Sequence, residues 1–493
     1  MLTALSLELI TYVLEHVRPI DIVSVRRTCR ALCDVTKVRQ IWMNALRSAM
    51  KRRSILESTL PLDAMPLNLL EHLALGPHRL LSILQKSDGS SLRPMYIRVL
   101  APRLTYEEKE RYGIVDNDGL YDSYLESSGR YLASLSAYES FTLFTIWDLG
   151  LCGRDAIKPI ARYLEPVKWK LYLDGLWPGP QGSDTFYLVS TQESSLLTPL
   201  LVLVHKVSMS ESPEITFLAK LEIPVPAPFL FARISYAPDI FRLVIHYDDD
   251  EEHKHIWIWD FLHDTVAVLV ATDCGYGGKE MCLHFNDCIM VAHGGSIKVY
   301  NIPPLLPRSS DWSPTECKAT IVIAAPVKSP SSFFIGHEMS RTILPYFLEV
   351  TPAQITLFEV TDSNKFQGPT LPNKLPITAG CVEVKDPAFW SRDQRFSALD
   401  RCEDHLLLPS FNNAGQEYSD LTIFSADIGK NFARDAGVRL KKTVLSSTLS
   451  QRDVARRQFC AILGRVCLHT RQRLPNSPSL RSVYVLDYLG APE

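Results

Sequence analysis

One short pattern recurs along this chain and narrows its folding choices more than any other feature. It is an alternating apolar run that ends in a large side chain followed by a polar one. It reads LFTIWDL at 143–149, IWIWDF at 256–261, IKVYNI at 297–302, ITLFEV at 355–360, LTIFSA at 421–426 and VYVLDY at 483–488, with a poorer copy, LVLVHK, at 201–206. Aligned on Trp147, His205, Trp259, Tyr300, Phe358, Phe424 and Leu486, the copies stand 58, 54, 41, 58, 66 and 62 residues apart. Period-two alternation bounded by Pro, Gly, Ser and Asp clusters is strand texture. Repetition at this spacing is the signature of a supersecondary unit that needs neighbours to bury its apolar faces. Seven such units predict seven blades of a β-propeller, with two β-sandwiches as the alternative all-β arrangement. The last copy ends almost at Glu493, which leaves no room for a fourth strand after it. The segment MYIRVLAP (95–102) precedes the first copy and is expected to supply that strand, closing the ring and removing an exposed edge.

The first fifty residues have a different texture. Leu7, Ile10, Leu14 and Val17 repeat at helical spacing, and Arg18-Pro19 breaks the run. Asp21 is placed to cap a second helix whose face carries Ile22, Val25, Cys29 and Leu32. Asp34 or Thr36 is placed to cap a third, with Val38, Ile41, Ala45 and Ala49 on one side. Three short helices cannot hide all their apolar side chains: Leu5, Leu9, Val13, Ile20, Val23 and Trp42 fall off the main stripes. Such a surplus marks either a docking face or a surface packed on the rest of the chain, and patterning alone leaves both open.

The stretch from Leu5 to Leu46 resembles an F-box. Leu5, Glu8 and Leu9 match that family's opening, Asp21 and Ile22 its Asp-Leu pair, Arg26, Arg27 and Cys29 its middle, and Ile41-Trp42 its end. Ser6 stands where the family usually has proline, and Leu32 where tryptophan is frequent. The resemblance implies docking to a Skp-family adaptor and, through it, to a cullin-based ubiquitin ligase. The adaptor-binding residues it points to are Leu5, Leu7, Glu8, Leu9, Val13, Leu14, Ile22, Val25 and Trp42. Likewise IWIWDF and FTIWDL resemble the Trp-Asp strand of a WD repeat, without that family's regular Gly-His pair and uniform repeat length.

The expected organisation is therefore multidomain: an all-α F-box-like module at 1–50, a helical linker at 51–94 and an all-β, propeller-like domain at 95–493. A net charge of −3 argues against a general nucleic-acid binder. The first residues lack a basic n-region, and no run of 18 apolar residues occurs, so neither a secretory signal nor a membrane span is expected. Eleven cysteines with no C-x-x-C spacing fit reduced thiols of a cytoplasmic or nuclear protein.

Candidate chemistry is sparse. HYDDDEEHKH (246–255), with His263 nearby, holds metal-ligating side chains, but it lies between two strand patterns and reads as a solvated hairpin loop. His293-Gly294-Gly295 reads as a tight hairpin, and no G-x-S-x-G elbow accompanies it. CGYGGK (274–279) lacks P-loop spacing, and HEMSR (337–341) lacks the second histidine of a zinc-protease helix. No catalytic residue, metal site or cofactor is assigned. The leading expectation is a non-catalytic substrate receptor with an unknown protein substrate. The alternatives are a propeller scaffold whose helical bundle packs internally and a metal-dependent enzyme with a propeller pocket. Loops around 121–130, 176–186, 246–255 and 361–376 are candidates for substrate contact by length and polarity.

Overall fold

A computed structural model describes residues 5–52, 55, 57–87, 91–100, 104–113, 120–138, 141–166, 171–180, 183–192, 199–224, 233–237, 241–248, 253–273, 281–285, 288–293, 296–308, 314–324, 333–336, 346–350, 354–362, 374–383, 394–396, 400–402, 405–412, 421–427, 441–447, 454–470 and 482–491. Helices come first: α1 (Leu7–Glu15), α2 (Pro19–Arg26), α3 (Arg30–Val35), α4 (Arg39–Arg52), α5 (Leu67–Ala74) and α6 (Gly76–Lys86). The second expected helix is split, because Cys29 is extended (φ −158°) and ends the run between α2 and α3. Neither expected cap acts as one. Asp21 lies inside the first turn of α2 after Pro19, and its carboxylate holds Arg18 at 2.6 Å. Thr36 closes the C-terminus of α3, its hydroxyl donating to the Cys33 carbonyl (2.8 Å).

The strands form antiparallel sheets that follow one another along the chain: sheet 1 (120–165), sheet 2 (171–223), sheet 3 (233–271), sheet 4 (281–324), sheet 5 (333–383) and sheet 6 (394–445). Sheet 3 gains two short edge strands, Leu306–Pro307 and Thr315–Cys317. The last sheet, sheet 7, is composite. Its strands Val454–Cys460, Arg465–Thr470 and Val483–Asp487 are completed by Tyr96–Leu100, which pairs antiparallel with Val483–Asp487 from Tyr96↔Asp487 to Leu100↔Val483. This is the closure that 95–102 was expected to provide. The expected seven like blades are corrected accordingly. Six blades, not seven, are drawn from one continuous stretch, and the sheet that joins the two ends of the domain is shared between them. The reason is steric economy: a ring cut within a sheet is sealed by backbone hydrogen bonds, leaving no free edge at the cut.

Each copy of the repeated pattern is the third strand of its sheet, flanked on both sides by hydrogen-bonded neighbours. That position explains the pattern, since a strand buried on both faces and both edges must be apolar almost throughout. Trp259, Tyr300, Phe358 and Phe424 are fully buried there. Apolar clusters link sheet 1 to 2, 2 to 3, 3 to 4, 4 to 5 and 6 to 7, and sheet 7 reaches sheet 1, as a propeller requires and a pair of sandwiches does not.

The helices stand on the end of the ring that carries the turns 126–130, 149–157 and 461–464. A single apolar core runs from Ile10, Leu14, Ile22 and Trp42 through Leu60, Leu70 and Leu73 into Leu125, Trp147, Ile462 and Val483. Gly76, at the start of α6, approaches so closely that a Cβ would lie 2.0 Å from the Ile462 carbonyl oxygen. From there the chain clamps the last two sheets. Thr443 donates to the Leu84 carbonyl (2.9 Å), Leu92 exchanges backbone bonds with Val444 and Ser446, and the closing strand follows. A further helix, α7 (Tyr106–Tyr112), opens with a Thr105–Glu108 capping box and pairs Glu108 with Arg162 of sheet 1.

Candidate protein-docking face

The F-box-like residues divide into two groups with different jobs. The first group holds the helices together. Arg26 of α2 grips the Glu71 carboxylate of α5 with two nitrogens (2.7 and 2.8 Å) and donates to the Thr36 hydroxyl at 3.0 Å. Its guanidinium also lies 5.4 Å from the Trp42 ring centre, near enough for a cation–π contribution. Trp42 is fully buried, and its indole N–H donates to the Thr36 carbonyl at 2.8 Å. Ile22 and Leu14 are buried in the same core, and Val25 is half-buried against it. Trp42, Ile22 and Leu14 therefore cannot touch a partner directly. They were assigned to the interface because a short helix shows its apolar stripe but not which neighbour the stripe meets.

The second group faces outward from α1. Ser6 caps this helix, its hydroxyl accepting the Leu9 N–H at 3.4 Å. Glu8 sits in the first turn, where the helix dipole favours an anion. A backbone N–H and then the Ser6 hydroxyl hold its carboxyl below the usual range. Ile10 and Leu14 turn inward, while Leu5, Leu7, Leu9, Tyr12 and Val13 are exposed, with Ile20 of α2 nearby in sequence; their exposures run from 38% to 63%. Leu9, Tyr12 and Val13 follow i, i+3, i+4, so they share the outer side of α1, and Leu5 lies just ahead of its Ser6 cap. Tyr12 continues into an edge-to-face contact with His16 (5.0 Å). Tyr12 was missed in the sequence although its spacing from Leu9 would have found it. The helix α1 is thus apolar on both sides, with one side packed against the core and the other exposed. Covering each of these side chains fully would contribute on the order of 1–3 kcal/mol.

The other candidates fare differently. The 121–130 loop is strand and turn packed under the helices, with Glu126 and Ser128 buried. Within 176–186, the strands Leu171–Pro178 and Thr185–Gln192 pair antiparallel, and residues 181–182 lie outside the described residues. The acidic stretch joins two paired strands, Asp248 opposite Lys254, and residues 249–252 lie outside the described residues, as do 274–280, 337–345 and 363–373. His255 stacks on Tyr247 (5.0 Å), and His263 pairs with Asp260 at 3.0 Å. Gly294 and Gly295 lie outside the described residues, between strands whose ends pair His293 with Ser296. Among the described residues no group of three or more His, Cys, Asp or Glu side chains is placed to share a metal ion.

No family model matches the chain, and no curated protein matches it. Solved structures do. The chain is similar to the WD40 domain of SCAP from fission yeast (11% identity, TM-score 0.35, covering 75% of this chain and 82% of that one). It is also similar to a humanized mutant of the Chaetomium thermophilum Polycomb Repressive Complex 2 (10%, 0.40, covering 80% and 98%). A third is Chaetomium thermophilum Raptor (9%, 0.37); the match covers 79% of this chain and 30% of Raptor's. The sheet order of the chain itself, rather than these likenesses, establishes its propeller: a small helical region followed by an all-β ring.

Proposed function

We propose that this protein is a non-catalytic substrate receptor of a Skp–cullin–F-box ubiquitin ligase. The exposed outer side of α1 (Leu9, Tyr12 and Val13, with Leu7 and Glu8 beside them and Leu5 ahead of the Ser6 cap) docks a Skp-family adaptor, which in turn engages a cullin. The propeller binds a protein substrate and holds it near the ligase, raising rate by effective concentration. The observation that carries this reading is the contrast within the helical region. Its inward stripe is packed, yet α1 keeps apolar side chains exposed that the other described residues do not bury.

Co-precipitation of the full chain with the adaptor tests it. The Leu9→Asp, Val13→Asp variant places two charges on that exposed side without touching the core, so folding is retained and adaptor binding is lost. Undiminished binding by that variant overturns the proposal. A second reading, a propeller scaffold with an internally packed bundle, is favoured by the core shared between helices and ring. It predicts that the unaltered chain captures no adaptor.

A further inference from the structure

The turn 126–130, between the first two strands of sheet 1, sits where three parts of the molecule meet. Toward the helical region, Arg130 donates from Nη1 to the Thr59 carbonyl (2.7 Å). Toward sheet 7, the Gly129 carbonyl accepts from Arg465 Nη1 (2.6 Å) and the Ser127 carbonyl from the Cys460 thiol (3.4 Å). Within sheet 1, Arg130 pairs with Asp148 (2.8 Å), and its carbonyl accepts the Leu149 N–H. Gly129 has φ +76°, and a Cβ there would stand 2.8 Å from Cys460 Sγ, so the turn has no room to shift while closed.

Inside this turn lies Glu126, 1% exposed. Its carboxyl accepts the Ser128 hydroxyl, and among the described residues no cation pairs with it. The surrounding charges are committed elsewhere: Arg130 to Asp148 and Thr59, Arg465 and Arg98 to Asp487, and Glu57 of the helical region to Arg47. The neighbouring Tyr131 phenol is pushed up to about 12 by burial and stays neutral. Burial without a paired cation disfavours the ionised form of an acid. We propose that Glu126 is a proton-operated latch between the helical region and the propeller. Its neutral carboxyl keeps the 126–130 turn closed on its Thr59 and sheet 7 contacts, and its ionisation opens that turn. This inference does not depend on the adaptor reading.

Burial pushes the Glu126 carboxyl up to about 7, against the Ser128 hydrogen bonds and the Arg130 charge, which pull it down. The closed state therefore binds the proton more tightly than the open one, where the ordinary 4.5 applies. Closure is fully favoured below pH 4.5 and weakens as pH rises through 7. Between pH 6 and pH 8 the opening equilibrium should rise about tenfold.

Hydrogen exchange of the full chain, corrected for intrinsic rates, reads this directly in peptides covering 57–62 and 124–131. Protection in both should fall about tenfold from pH 6 to pH 8, while strands of sheet 3 stay flat. In Glu126→Gln, isosteric and always neutral, protection should not change with pH. A flat profile in the unaltered chain overturns the latch, even should the variant not fold. A pH-dependent loss that persists undiminished in Glu126→Gln overturns it as well.

Discussion

The seam of the ring offers the sharpest test of how the fold is held. Asp487, 2% exposed on the third strand of sheet 7, binds Arg465 Nε at 2.5 Å with one oxygen and Arg98 Nη2 at 2.8 Å with the other. Arg98 comes from the closing strand, 389 positions away, and also donates to the Leu149 and Asp155 carbonyls of sheet 1. Arg465 is fully buried and donates to the Gly129 and Gly150 carbonyls. One carboxylate thus neutralises two guanidiniums that together join sheet 7, the closing strand and sheet 1. Asp487→Asn keeps the volume but removes the charge and turns an N–H₂ toward one arginine. Removing one partner of a buried ion pair costs about 3–5 kcal/mol, since it strands the remaining charge. Urea unfolding followed by tryptophan fluorescence should show that loss as a midpoint lowered by about 1 M, taking m of order 3 kcal/mol/M or more for a domain of this size. In a chain already carrying Arg98→Met the same change should cost less, with a coupling of about 1–3 kcal/mol. The exposed pair Asp34–Lys37 is the control, where Asp34→Asn should stay within about 0.5 kcal/mol. A cost below about 1 kcal/mol for Asp487→Asn would refute the reasoning, because the seam would then be held by backbone pairing alone.

Two further outcomes follow from the same packing. Removal of residues 482–493 takes away the strand between Arg465–Thr470 and the closing strand, so cooperative unfolding should disappear from calorimetry; a truncated chain with an unchanged melting transition would contradict ring closure. Trp42→Ala empties a fully buried site and should destabilise by about 3–5 kcal/mol in denaturant, whereas Leu9→Asp, on the bare side of α1, should change stability little and act on partner binding alone.

The repeated strand pattern was legible because burial on every side leaves a residue-level imprint, and the closing role of 95–102 followed from counting strands at the C-terminus. The exposed side of α1 was legible only in part. Leu5, Leu9 and Val13 could be recognised as surplus apolar side chains, but so could Trp42, which the structure buries against Arg26 and Thr36. Helical spacing fixes which side chains share a face. It does not say whether that face meets α5, the turns of sheet 7 or water, and contacts such as Arg26–Glu71 span 45 positions that no local pattern encodes. The same holds for Glu126 and Asp487. In the sequence each is an ordinary acid beside a strand, and only the ring brings Arg98 and Arg465 to Asp487 while Glu126, among the described residues, forms no ion pair. Local periodicity, set by backbone geometry, determined the strands, the helices and their apolar faces. Long-range packing, which chooses partners among many compatible faces, decided which of those faces were sealed and which were left exposed.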